Sequence, residues 1–91
     1  MTQLNDEEVM AIALDVVAEL RRATEKFGPF ASTHEGYAVI KEELDELWDA
    51  VRKNDLQAAI DEAKQLAAMG IRFVYDVQAI LLMRADEANT S

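Results

Sequence analysis

The residues with most chemical promise are Glu43 and Glu46, and Glu62 and Gln65, two pairs each spaced three apart on neighbouring segments. Three residues apart on a helix, side chains share a face with about 5–6 Å between Cβ atoms. At about 100° per residue, Glu43 and Glu46 fall on a strip with Val39 and Ala50, beside an apolar face and away from the fully charged side. Two carboxylates in such a half-dry place repel each other unless a cation or a proton lies between them. Glu62, Gln65, Met69 and Asp76 make a matching strip on the next segment, with Arg72 at its margin. Packed antiparallel, the two strips bring three carboxylates and one amide oxygen around a common point. An all-oxygen set of this kind suits Mg²⁺ or Mn²⁺ rather than Zn²⁺. The same strips also read as boundary residues whose charges reach solvent or pair with Arg72 and Lys64.

Other chemistry is scarce. With no cysteine and a single histidine, the chain offers no disulfide, no thiolate zinc site and no thiol or Ser-His-Asp nucleophile, and it has no glycine-rich phosphate loop. His34 stands where it either touches phosphate or closes the first turn of a helix. Tyr37 and Trp48 either stack on a base or pack in the core. Lys41 and Arg72 are the basic groups nearest the acids in sequence, open to phosphate contact or to ordinary ion pairing. Asp76 either extends the metal site along its helix or caps an interhelical contact.

Three helices must position these groups. Asn5 is a helix cap with Glu8 three residues later, and Gly28-Pro29 ends that helix, giving residues 5–27. Ser32 and Glu35 form a capping-box pattern for residues 33–53. Tyr37, Ile40, Leu44, Leu47, Trp48 and Val51 form its apolar face; Lys41, Glu42, Asp45, Asp49 and Arg52 fill the other. Asn54 or Asp55 caps the third helix, 55–83, whose Ala59, Ala63 and Gly70 predict a close helix contact. From Ala67 onward this helix is apolar nearly all round, more than two shorter helices can cover, so a second copy of the chain is expected to cover it. The tail, 85–91, reads as frayed.

Composition narrows the function classes. Ninety-one residues make one domain, and eighteen acidic against nine basic residues give a net charge of −9. Such a field disfavours nucleic acid and anionic membrane surfaces, while small anionic substrates remain open if a cation accompanies them. With 51% apolar residues, three glycines and one proline, the chain is too hydrophobic for disorder and too poor in turn formers for an all-β fold. The start lacks the basic and apolar parts of a secretory signal, which points to the cytoplasm. Leu66–Met83, interrupted by Arg72, Asp76 and Gln78, reads as a helix buried by protein rather than lipid.

The run from His34 to Trp48, HEGYAVIKEELDELW, followed by EAKQLAAMGIRF from Glu62 to Phe73, resembles the MazG-like branch of the all-α nucleoside triphosphate pyrophosphohydrolases. The resemblance covers about residues 27 to 77. That family's E-x-x-E and E-x-x-D signature is met by Glu43, Glu46 and Glu62, with Gln65 in place of the Asp. The resemblance implies an all-α fold, a four-helix bundle completed by homo-oligomerisation into a homodimer or homotetramer. It implies Mg²⁺ (or Mn²⁺) held by these acids, and hydrolysis of nucleoside triphosphates to monophosphate and pyrophosphate. The competing expectation is a non-catalytic helical interaction protein whose metal site has degenerated at Gln65; a phosphate-ester hydrolase using the same acids is a third.

Overall fold

The structure, a computed structural model, describes residues 3–90. It is all-helical, with α1 at Asp6–Lys26, α2 at Thr33–Arg52 and α3 at Leu56–Thr90, and no strand among the described residues. The caps form as the sequence suggests. The Asn5 side chain accepts from the Glu8 N–H at 3.2 Å, Ser32 Oγ from Glu35 N–H at 3.1 Å, and Asp55 Oδ1 from Ala58 N–H at 3.1 Å. Asn54 is not a helix cap at all: it takes a left-handed φ of 56°. Its N–H donates to Val51 O, and that of Asp55 donates to Ala50 O, closing the end of α2 in a Schellman turn. One turn therefore both stops α2 and starts α3.

That tight link makes α2 and α3 an antiparallel hairpin, the arrangement that opposes the two acidic strips. α3 packs against both other helices, whereas α1 and α2 do not pack against each other. Paired contacts run Lys64 to Asp15 and Arg72 to Thr24, so α1 lies parallel to α3. The buried apolar cluster is small: Val16, Ala68 and Met69, with Leu20, Ala23, Phe30, Val39 and Ile40 packed on it. One protomer thus supplies three helices; a four-helix arrangement is not completed within it.

Three expectations change. α3 does not fray at residue 85: the helix runs on to Thr90, since Arg84–Ala88 contains good helix formers and no glycine or proline. Ser91, the end of the expected tail, lies outside the described residues. The close helix contact is not at Gly70, where an added Cβ meets nothing within 4 Å, but at Gly36, where it would come within 2.7 Å of Phe73. The inner face of α2 is also rotated from its most apolar one. Gly36 and Ala50 are buried, with Ile40, Glu43 and Leu47 half-buried, while Tyr37, Leu44, Trp48 and Val51 are exposed. Hydrophobic phase shows that a face is to be covered, not which neighbour covers it.

Candidate metal centre

The hairpin brings Glu43 and Glu46 of α2 against Glu62 of α3, with one carboxylate oxygen from each within 4.8 Å of the others. Burial, then the charges of Glu46 and Glu62, push the Glu43 carboxyl up to about 7. Burial and the neighbouring Glu46 raise Glu62 as well. Glu43 Oε2 is sealed from solvent and has no hydrogen-bond partner. A buried acceptor without a donor costs about 1–3 kcal/mol, more when charged. No cationic side chain compensates it, because Lys41 points away to Asp45 at 3.3 Å and Arg72 is held by Asp76 at 2.8 Å. Hard oxygen donors, mutual repulsion and an orphaned acceptor are the conditions that a divalent cation relieves, so the residues present fit Mg²⁺ or Mn²⁺.

Beside the trio lies a cavity of about 420 Å³, within the range of small-molecule sites. Glu43, Gln65 and Arg72 line it together with Phe27, Phe30, Val39 and Met69. It therefore has an apolar floor and a polar edge facing the carboxylates. Gln65 sits where expected, one turn from Glu62, but its amide nitrogen is not free: it donates to Glu19 of α1.

No protein-family model, curated protein or solved structure matches this chain.

Several other candidates are placed elsewhere. Asp76 does not extend the metal site. Only 6% exposed, it accepts from the Phe30 N–H and from Arg72 Nε, both at 2.8 Å, and so ties the α1–α2 connection to α3. Lys41 lies on the opposite side of α2 from Glu43, two residues or about 200° away, and is not near the acids. Arg72 does border the site, with Nη1 donating to Thr24 Oγ1 at 2.7 Å. His34 and Trp48 do not line the cavity; His34 is exposed, and Trp48 is 60% exposed, so it neither packs in the protomer core nor faces the acids.

Sequence reasoning missed Glu19, Phe27 and the Phe30 N–H. Glu19 is one acid among several on α1, and nothing local pairs it with a residue 46 positions on. The aromatic pair flanking Gly28-Pro29 was the available signal, since apolar residues either side of a helix stop often close over a neighbouring helix.

Proposed function

We propose that this protein is a Mg²⁺-dependent nucleoside triphosphate pyrophosphohydrolase, in which Glu43, Glu46 and Glu62 hold the metal, with the Gln65 oxygen as a fourth donor. The observation that carries this reading is the convergence of three carboxylates from two helices around an orphaned buried oxygen, at the edge of a cavity of nucleoside size. The family likeness of these segments gives the reaction class. When bound, the metal neutralises the triphosphate and polarises the α-phosphorus, which lets a protein of charge −9 take a highly anionic substrate. The apolar floor of Phe27, Phe30 and Met69 receives the base, and Arg72 offers its remaining N–H groups to phosphate. A glutamate of the trio orients the attacking water, with pyrophosphate leaving in line.

The active form is a homo-oligomer, dimer or tetramer, with a bundle of MazG-like type shared between copies. A folded monomer of this mass exposes about 5,300 Å², whereas the protomer exposes 7393 Å². Its radius of gyration is 16.1 Å, against about 12 Å for a compact chain of this length. The excess lies on apolar side chains, Leu44, Trp48 and Val51 of α2 and Ile71, Val74 and Leu81 of α3. Leu56–Asn89 is long and apolar enough to cross a membrane by length and composition. The Arg72–Asp76 pair within it, bound to the α1–α2 connection, favours cover by protein, and with it a cytoplasmic location.

A specific observation favours the second reading, a non-catalytic interaction protein: the apolar faces are extensive, and the fourth position of the site is a neutral amide. One assay separates them. Each common NTP and dNTP is incubated with the protein and Mg²⁺ or Mn²⁺, and pyrophosphate is measured against orthophosphate. Pyrophosphate release that Glu46→Gln abolishes supports the hydrolase; silence across all substrates favours the interaction protein, and orthophosphate a phosphate-ester hydrolase. Sedimentation at micromolar concentration reads the assembly, and a monomeric species overturns the oligomer.

A further inference from the structure

We propose that Glu19 is a positioning residue for the metal centre, acting through Gln65; this rests on the metal-site reading above. Gln65 stands between two clefts. On one side it lines the cavity shared with Glu43, and on the other a cleft bordered by Glu19, Asp15, Arg22 and Lys64. A terminal amide on a helix turns over at little cost, and only one of its two ends is a metal donor. The carboxylate of Glu19 decides which end faces which cleft. As an acceptor without a proton it takes the amide N–H₂, at 2.5 Å, and repels the amide oxygen. The oxygen is thereby left for the side where Glu43 and Glu62 lie.

Glu19 is itself held. It is half-buried and ion-paired with Arg22 one turn along α1, and a second link between the same helices, Lys64 Nζ to Asp15 Oδ2 at 3.0 Å, fixes α1 beside α3. The chain thus places its fourth negative charge one hydrogen bond behind the position where a carboxylate ligand stands in the family pattern. A partner of this kind orients the ligand and withdraws proton density from it, roles whose loss generally costs about 10–100-fold in metal affinity.

The placement predicts an effect that changes sign with residue 65. With glutamine there, Glu19 assists; with a carboxylate there, Glu19 has nothing to accept and repels it. Mn²⁺ binding to the full chain is measured by electron paramagnetic resonance of the free ion for the parent, Glu19→Ala, Gln65→Glu and the double variant, with helicity and melting followed by circular dichroism. Glu19→Ala is expected to weaken Mn²⁺ binding about tenfold in the parent and to leave it equal or tighter in the Gln65→Glu background. Glu19→Gln, which keeps the size and an acceptor oxygen, is expected to recover most of the loss and serves where the alanine variant folds poorly. Equal binding by parent and Glu19→Ala, or the same loss in both backgrounds, overturns the proposal. A Glu19→Gln loss as large as that of alanine does so too, since it assigns the effect to charge alone. Absence of Mn²⁺ binding by both parent and Gln65→Glu overturns the metal-site reading itself, and this proposal with it.

Discussion

Two carboxylates lie along α3 in very different company. At one end Asp76 is buried but answered: a guanidinium and a backbone N–H both donate to it. About four turns away Glu43 reaches the same helix from α2 and meets only other acids, with one oxygen lacking any donor. Burial is common to both; what differs is whether the fold brings the compensating charge. Where it does, the acid is structural. Where it does not, the chain keeps an electrostatic debt that folding alone leaves standing, and a cation from solution is the natural means of settling it.

The largest test of the contrast is Asp76→Ala. It strands the Arg72 guanidinium and the Phe30 N–H, and removing one partner of a buried ion pair costs about 3–5 kcal/mol. Urea unfolding should show a loss of that size, and a loss below 1 kcal/mol would end the distinction. Next is Gly36→Ala, which disturbs the same end without touching charge. Its Cβ would meet Phe73 at 2.7 Å, and overpacking of this kind costs about 1–3 kcal/mol. The acidic end should behave in the opposite way. Because the Glu43 carboxyl is raised to about 7, its protonated form favours the fold. That contribution is complete below the ordinary carboxylate range and disappears as pH rises through 7. Metal-free melting temperature should therefore fall between pH 5 and 8. Glu43→Gln should flatten the slope and stabilise the metal-free chain by about 1 kcal/mol at pH 8. Mn²⁺ affinity should climb about tenfold per pH unit below 7, as one proton is displaced. The smallest effect is Gln65→Asp, expected to tighten Mn²⁺ about threefold by adding a charge to the donor set, read by calorimetry.

Helix positions and the acidic trio were legible because their signals are local. Asn5, Ser32 and Asp55 act on backbone within three residues, and Glu43 with Glu46 shares a turn, so only the antiparallel pairing of α2 with α3 had to be supposed. The role of Asp76 was open because its partner is a backbone N–H on a connection 46 residues earlier, which no side-chain pattern marks. Glu19 was hidden for the same reason. The outward turn of Trp48 and Val51 shows a different limit: periodicity gives the width of an apolar stripe, while the choice of which part faces α3 falls to the small residues Gly36 and Ala50, where the backbones can approach. Gly70, equally small, lies off that line.

The turn at Lys53–Asp55 has a consequence for what lengths the chain can tolerate. Glu46 and Glu62 stand sixteen positions apart, and the only irregular residues between them are those of the turn. An inserted residue there advances α3 by about 100°, carrying Glu62 off the seam and Asp76 away from the Phe30 N–H together. The interval behaves as a ruler: its letters can be exchanged wherever a left-handed residue followed by a cap is kept, but its count cannot. Drift in this chain should accordingly leave indels to the α1–α2 connection and the end of α3, and spare the span between the acids.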